Sequence, residues 1–310
     1  MTLSAAEEDA FGPEPLQPGQ ARRLDCDDET YFADPCETPS LSQSVAHELV
    51  SRSPLHAWQM HPRLGGTKRP PTVAKDGGTL IHAVLLGKGH DSLAVIDVDD
   101  FRTKAAREQR DEALAAGKTI IKAAVFEEAE KVAAVIAGRL LAFGIDLRKG
   151  ESEVRIEWRE QDGCLCRGMM DNLQIDRATI YDVKTIRSAD LHTCQQSIMR
   201  YGYDIQGAAY RSAVGKLHPE TAGRLTFIDI FVETKPPYAV SPLEHDPGLR
   251  ALGEDKWQRA CQAWVECLRT DRWPGYCAEV GLVTAPAWAL WNDEDKDNED
   301  LSALGLGGTP

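Results

Sequence analysis

The stretch between Gly168 and Thr185 carries residue types that can bind a metal ion. Asp171 lies in its first half, and Asp182 and Lys184 lie in its second half, on two segments whose composition predicts adjacent strands. Side chains two positions apart in a strand point to the same face, so Asp182 and Lys184 share one side. A carboxylate that faces a carboxylate and an ammonium can hold a hard divalent cation and position a water beside it.

Two upstream residues are candidates for the same place. His82 interrupts the apolar helical run GTLIHAVLLG, where a histidine needs a partner such as a backbone acceptor or a metal ion. Glu153 lies on an alternating segment from 151 to 158 that directly precedes the hairpin. In an antiparallel meander, Glu153 would therefore come close to Asp171.

The elements that must position these side chains form a mixed pattern. Helices come first, followed by a three-stranded meander, one long helix or two between 188 and 216, a strand from 224 to 233 and a helix from 249 to about 268. This order predicts an α/β fold with a mixed central β-sheet flanked by helices. The chain shows no internal repeat, no Walker-type phosphate loop and no GxSxG motif.

Composition divides the chain into three expected regions. Residues 1 to 38 are rich in proline, glycine and acids without periodicity, which predicts an acidic mobile N-terminal arm. Residues 39 to 280 carry the periodic elements and should form one functional domain. Residues 281 to 310 are predicted to be an acidic, disordered tail.

The charge balance limits how the chain can bind a polyanion. Acids outnumber bases by 49 to 35, and the net charge is −14. General coating of nucleic acid is disfavoured, because nonspecific affinity comes mainly from bases that neutralise phosphates. The loop RLGGTKRPPTVAK nevertheless has no acid, and it is either a local phosphate contact or a solvated loop. Its four basic residues are Arg63, Lys68, Arg69 and Lys75.

The sequence has no feature of an exported or membrane protein. The beginning, MTLSAAEEDAFGPEP, lacks the basic and apolar regions of a secretory signal. No apolar run approaches the roughly 20 residues that span a bilayer. We therefore expect a cytoplasmic location and no membrane partner.

An ordered set of motifs resembles a known group of enzymes. His82, Glu153, the aspartate of GMMDNL, the DVK of IYDVKT, and the glutamine and tyrosine of QGAAY resemble the PD-(D/E)XK nuclease superfamily. More narrowly, they are similar to RecE-type phage exonucleases such as exodeoxyribonuclease VIII, relatives of the lambda-type exonuclease and the RecB nuclease domain. The resemblance covers roughly residues 41 to 276 and departs at Met170, where the superfamily name has proline.

The resemblance implies a fold and a metal site. The fold would be the restriction-endonuclease-like core of this superfamily. His82, Asp171 and Asp182 would bind Mg²⁺ or Mn²⁺ together with the backbone carbonyl of Val183. Glu153 would serve a second ion, giving two per active site.

The resemblance also implies catalytic roles. Lys184 would orient or activate the attacking water and offset charge on the phosphate. Gln206 and Tyr210, one helical turn apart, would steady the lysine or the scissile phosphate.

The function implied is a metal-dependent exodeoxyribonuclease in phage-type recombination. It would degrade linear duplex DNA from its ends, 5′ to 3′, as a ring-like homo-oligomer that works with a single-strand annealing protein. A phage-encoded copy would act in the host cytoplasm. Alternatives are a Cas4-like or other nuclease of this superfamily, a DNA-binding nuclease fold without turnover, and a merely solvated hairpin face.

The cysteines bear on the Cas4-like alternative. Eight cysteines without a CxxC pair are expected to be reduced thiols. Cys261, Cys267 and Cys277 with an N-terminal cysteine suggest an iron–sulfur cluster, but their spacing does not fit the usual pattern.

Overall fold

The computed structural model describes residues 14–66, 77–87, 93–98, 102–116, 118–277, 279–287 and 289. The chain divides into two compact units, Met1 to Trp273 and Pro274 to Pro310. Every helix and strand bounded below lies in the first unit. Most of the tail expected after residue 280 lies outside the described residues, so its disorder stays a prediction.

Eight strands lie in the described part of the chain: β1 (Ala21–Arg23), β2 (Leu93–Ile96), β3 (Thr119–Lys122), β4 (Glu151–Arg159), β5 (Leu165–Gln174), β6 (Thr179–Ile186), β7 (Thr226–Glu233) and β8 (Val240–Glu244). Six of them form one mixed sheet in the spatial order β1-β4-β5-β6-β7-β8. β6 and β7 run parallel, while the other neighbours in this sheet run antiparallel. β2 and β3 form a separate parallel pair.

The same described part contains nine α-helices: α1 (Asp28–Phe32), α2 (Gln43–Ser51), α3 (Pro54–Met60), α4 (Gly77–Leu85), α5 (Lys104–Ala115), α6 (Ala123–Leu141), α7 (Leu191–Tyr201), α8 (Tyr203–Leu217) and α9 (Pro247–Thr270). Of these, none is both long and apolar enough to cross a bilayer.

Helices cover both faces of the central sheet. On one face, α2, α8 and α9 pack around a core that includes Trp158 and Ile180. On the other face, α4 and α6 share a core with Tyr181 and Val183. Neighbouring residues of β6 thus enter opposite cores, as the period of two in a strand requires. The mixed sheet flanked by helices confirms the predicted fold class.

The predicted mobile arm is wrong for its described part. β1 pairs antiparallel with β4, and Arg22 forms an ion pair with Glu157 on the opposite strand. Asp27 caps α1 by accepting the N–H of Thr30 at 2.8 Å. A three-residue edge strand within a polar, proline-rich segment carries too little periodicity to be recognised from sequence.

A buried ion cluster holds this segment on the sheet. The Asp34 carboxylate accepts the Ser40 hydroxyl at 2.7 Å. It also lies 3.1 Å from the Arg167 guanidinium and 3.2 Å from His61 Nε2. A buried carboxylate requires such partners, and Arg167 belongs to β5, so the N-terminal segment is fixed to a central strand.

Gly253→Ala should destabilise the protein, because α8 and α9 touch at this position. A Cβ on Gly253 would lie 2.2 Å from the backbone oxygen of Asp204. We expect the free energy of unfolding, measured by urea denaturation, to fall by about 1–3 kcal/mol.

Gly138→Ala in α6 is the matched control. Nothing lies within 4 Å of the added Cβ, and alanine favours a helix, so a gain of about 0.5–1 kcal/mol is expected. Equal effects of the two substitutions would contradict the backbone contact at Gly253.

Candidate active site

β5 and β6 separate where the two predicted aspartates stand. Their ladder ends with the pair Asn172 and Tyr181, one step before Asp171 and Asp182 would face each other. There the backbone N–H of Val183 donates to Asp171 Oδ2 at 2.8 Å. A side-chain carboxylate thus accepts a hydrogen bond beyond the end of the ladder, and the sheet opens into a gap with two carboxylates.

α4 brings an imidazole to this gap. His82 Nε2 lies 2.8 Å from Asp171 Oδ2, the same oxygen that accepts the Val183 N–H. The buried apolar side chains of α4, Ile81 and Leu85 among them, hold the helix in the core shared with α6. The helix-borne histidine and the strand-borne aspartate, far apart in sequence, are therefore in direct contact.

A closed set of polar contacts links the other predicted residues. Lys184 Nζ donates to Gln206 Oε1 at 2.7 Å, and Gln206 Nε2 donates to Asp182 Oδ2 at 2.8 Å. Lys184 also forms an ion pair with Asp182. The ammonium lies 4.2 Å from the ring centre of Tyr203, a distance typical of a cation–π contact. Two residues of α8, Tyr203 and Gln206, therefore hold the ammonium of Lys184 in place.

Asp229 and His245 belong to this site, although the sequence analysis missed them. Asp229 stands on β7 level with Asp182 in the parallel register. It is fully buried, and its Oδ2 lies 2.8 Å from His245 Nε2. Within the described structure, its Oδ1 has no hydrogen-bond partner. The available signal was an acid in the middle of the apolar strand LTFIDIFVE, because such a group needs a buried partner.

The pKa values of the two aspartates in the gap are shifted in opposite directions. Burial and the charge of Asp171 raise the pKa of Asp182 to about 7, against the opposing effect of Lys184. Burial alone would also raise the pKa of Asp171, but the hydrogen bond and charge of His82 lower it. Asp171 is therefore the fixed anion, and Asp182 exchanges a proton near neutral pH.

The pKa values of both basic groups of the site are raised by the neighbouring carboxylates. Burial would lower the pKa of Lys184, but Asp182, Asp229 and Asp171 together raise it above the ordinary lysine value. Burial would likewise lower the pKa of His82, and its contact with Asp171 raises it. Lys184 is thus a hydrogen-bond donor at neutral pH and not a proton acceptor.

Glu153 occupies the expected position but makes a different contact. The register of β4 and β5 places it level with Asp171. Its carboxylate lies 3.9 Å from the Arg155 guanidinium. Its φ is +53°, in the left-handed region that non-glycine residues rarely adopt and that recurs at functional sites. Its role toward a second metal ion stays a prediction.

Tyr210 lies behind the site and not in it. Its ring is buried edge-on to Phe227, with 6.2 Å between ring centres. A Cβ on Gly168 would lie 2.8 Å from this ring, so the glycine of β5 makes room for it. Burial raises the pKa of Tyr210, although a hydrogen bond with Gln206 opposes the shift. The tyrosine therefore supports Gln206, and its predicted contact with phosphate is not supported.

Of the four basic residues in the basic loop, only Arg63 lies in the described part of the chain. The Arg63 guanidinium donates to the backbone oxygens of Cys36 and Glu37, the second at 3.3 Å, and so binds the N-terminal segment. Its predicted contact with DNA stays a prediction. Lys68, Arg69 and Lys75 lie outside the described residues.

Comparison with known proteins identifies the family. A model of the PDDEXK-like domain of unknown function, DUF3799, matches residues 57–286. The chain belongs to this PDDEXK-like family. The superfamily expected from the ordered motifs is thereby confirmed, whereas membership in its RecE-type branch stays a prediction.

A solved structure has the same PDDEXK-like fold. It is a crystal structure from Eubacterium rectale of a protein provisionally named an exonuclease. The two chains share 14% sequence identity with a TM-score of 0.54, and the match covers 86% of this chain and 98% of the other. No curated protein matches this sequence significantly.

The donor set of this PDDEXK-like site fits a divalent cation. His82 Nε2 and Asp171 Oδ2 are 2.8 Å apart, close to the roughly 3 Å between neighbouring ligands of a small octahedral cation. The charge of Asp171 contributes to the raised pKa of Asp182, and a cation between them would relieve that repulsion. The predicted contribution of the Val183 carbonyl stays untested.

Three buried thiols meet between the beginning of β5 and α9. The sulfur atoms of Cys164, Cys166 and Cys261 all lie within 4.8 Å of one another. This grouping differs from the trio of Cys261, Cys267 and Cys277 considered from sequence, since only Cys261 is shared. The three belong to the apolar core, and burial raises the pKa of the Cys166 thiol. No disulfide joins the three cysteines.

Asp182→Asn tests the electrostatic strain of the metal-free site. The pKa of Asp182 is about 7 in the folded protein and about 3.9 in an unfolded chain. Between these pH values the folded protein keeps a proton that the unfolded chain releases, so Asp182 lowers stability as pH rises from about 4 to 7. The asparagine variant lacks this titration. Urea denaturation in EDTA should show its stability relative to wild type growing by on the order of 2 kcal/mol from pH 5 to pH 8.

Added Mn²⁺ provides the control for this experiment. At pH 8 the ion should stabilise wild type and not the variant, which reverses the difference. Stability curves that stay parallel from pH 5 to pH 8 in EDTA would contradict the raised pKa.

Proposed function

We propose that this protein is a metal-dependent nuclease, and more narrowly an exonuclease that hydrolyses linear duplex DNA from its ends, 5′ to 3′. The observation that carries the proposal is the buried cluster of Asp171, Asp182 and Lys184 at the gap between β5 and β6. It combines cation ligands with a fixed ammonium, and phosphodiester hydrolysis needs both kinds of group. Membership in the PDDEXK-like family and the likeness to an exonuclease-named fold support it.

The residues divide the chemistry between them. His82, Asp171 and Asp182 would hold Mg²⁺ or Mn²⁺, and Glu153 is the candidate for a second ion. When bound, such a cation supplies positive charge to the scissile phosphate and acidifies a water.

Lys184 acts as a donor in this mechanism. Its raised pKa keeps the ammonium charged, so it can donate to the attacking water or to a phosphate oxygen as negative charge develops. Gln206 donates to Asp182 and accepts from Lys184, so it fixes the spacing between the cation ligand and the ammonium. Such fixed positions contribute to catalysis because no reorganisation is needed during the reaction.

The direction of attack and the assembly are finer parts of the proposal. Both rest on the ordered motifs, which resemble RecE-type enzymes from His82 to Tyr210. A ring-like homo-oligomer and a single-strand annealing partner remain predictions of the same resemblance.

A cleavage assay tests the parts of this proposal separately. The purified protein is incubated with linear or with covalently closed duplex DNA, in the presence of Mg²⁺, Mn²⁺ or EDTA. An exonuclease should degrade only the linear form and only with the cation. Cutting of the closed circle would reject the exonuclease assignment and keep the nuclease. No cleavage of either form with any divalent cation would reject both. Phosphorothioate linkages placed at the 5′ or the 3′ ends should block degradation only at the 5′ ends.

Lys184→Met and Asp182→Asn should each lower kcat by about 100-fold or more, because each removes a charge from the reacting centre. Calorimetric titration with Mn²⁺ should distinguish them. Asp182→Asn should weaken binding, whereas Lys184→Met should leave it equal or tighter, since a positive charge has been removed. Lys131→Met on the exposed side of α6 is the matched control and should retain wild-type activity. Full activity of either site variant would remove that residue from the mechanism.

A further inference from the structure

A row of aromatic and basic groups leads from the catalytic lysine to the surface. The Tyr203 ring, which stands 4.2 Å from Lys184 Nζ, is followed by the ring of Tyr201 at 5.8 Å between centres and a tilt of 33°. The Arg200 guanidinium lies 5.6 Å from the Tyr201 ring centre. The Tyr201 ring is therefore within about 10 Å of Lys184 Nζ, the sum of the two separations.

The inner ring of this row is fixed and the outer ring is open. Tyr203 packs on buried Phe231 with 6.2 Å between ring centres. Tyr201 is 52% exposed. Neither the catalytic contacts described above nor the core uses its ring. Single exposed apolar side chains are common on protein surfaces, so exposure alone assigns no role to Tyr201. What distinguishes this ring is its ring-to-ring contact with Tyr203, which stands on the ammonium of Lys184.

Gly202 sets the two rings side by side. It ends α7 and begins α8 with a φ of +70°, which glycine adopts without strain. A Cβ at this position would lie 2.4 Å from the His47 ring, so the close packing also requires glycine. The backbone at Gly202 thus fixes the relative positions of the residues that carry the two rings.

The charge of α7 favours a polyanion. In a chain with 49 acids and 35 bases, the helix from Leu191 to Tyr201 contains no acid. Its single carboxylate neighbour at the beginning, Asp190, is used as the N-cap and accepts the N–H of Thr193 at 2.9 Å. Arg187 before the helix and Arg200 within it are exposed. The helix itself therefore presents no acid between Leu191 and Tyr201 to an approaching polyanion.

We propose that Tyr201 is a stacking platform for an unpaired nucleobase of the DNA strand whose phosphate lies beside Lys184. This inference rests on the proposed nuclease function and identifies the substrate form at the site as single-stranded or frayed. A stacked strand rises by roughly 3.4 Å per nucleotide along its axis, so a base on Tyr201 belongs to about the first three nucleotides from the cut. Aromatic rings bind bases of any sequence, because every base has a flat face, and Arg200 adds a planar cation.

The test uses the full chain in EDTA, so that DNA is bound and not cut. Short single strands carry 2-aminopurine at one of the three terminal positions, and both anisotropy and 2-aminopurine fluorescence are recorded. Wild type should quench the fluorescence at one of these positions. Tyr201→Ala should abolish the quenching and weaken binding roughly 5- to 150-fold, the range for loss of one stacked base. Tyr201→Phe should keep both, because it keeps the ring.

Matched variants exclude other causes. Phe143→Ala removes a ring that is 59% exposed just after α6, and it should change nothing. The slope of log affinity against log salt concentration should stay the same in Tyr201→Ala and become smaller in Arg200→Ala. Of the two side chains, only the charged arginine displaces counterions from the DNA. A thermal melt of each variant verifies folding, and Tyr201→Trp should bind more tightly than wild type.

Several outcomes would overturn the inference. They are an absence of quenching with wild type, equal effects of Tyr201→Phe and Tyr201→Ala, or a loss of self-association on gel filtration in Tyr201→Ala with DNA binding retained. The last result would make the ring a contact between copies of the chain.

Cleavage assays on the same variants separate this inference from the proposed function. Tyr201-dependent quenching without cleavage by wild type rejects only the nuclease, and cleavage unaffected by Tyr201→Ala with unchanged quenching rejects only the platform.

Discussion

The cost of burying like charges governs this site. Asp171, Asp182 and Asp229 lie close enough in the interior to raise the pKa of Lys184 together, against its burial. None of these carboxylates would be stable there alone, because removing an ion from water costs several kcal/mol unless partners replace the water. The lysine, the two histidines and Gln206 are these partners. The gap at the end of the β5–β6 ladder exists because side chains take over hydrogen bonding from the backbone.

Much of this arrangement could be predicted from the sequence where its cause is local. The shared face of Asp182 and Lys184 follows from the period of two, and β4, β5 and β6 form the expected antiparallel meander. The strand expected from 224 to 233 is β7, which begins two residues later, at Thr226. The break between α7 and α8 was left open, because a single glycine within a helical pattern indicates either a tolerated residue or an end.

The errors concern partners that are distant in the chain. The N-terminal segment appears disordered by composition, yet β4 and Arg167 hold it, and neither partner can be recognised from residues 14–38. Asp229 was passed over within its apolar strand, because its partner His245 and its neighbour Asp182 lie on other elements. The roles given to Gln206 and Lys184 came from an ordered motif and not from any local pattern.

The residues of the site come from separate parts of the chain. Asp182, Lys184, Gln206 and Asp229 all lie on one continuous passage of chain, from β6 through α8 to β7. His82 comes instead from α4, held in place by packing on α6. Changes in the packing of α4 can therefore move His82 relative to Asp171 while the ammonium and its spacing to Asp182 stay unchanged. The position of the imidazole and the position of the ammonium can thus vary independently, because they depend on different parts of the chain.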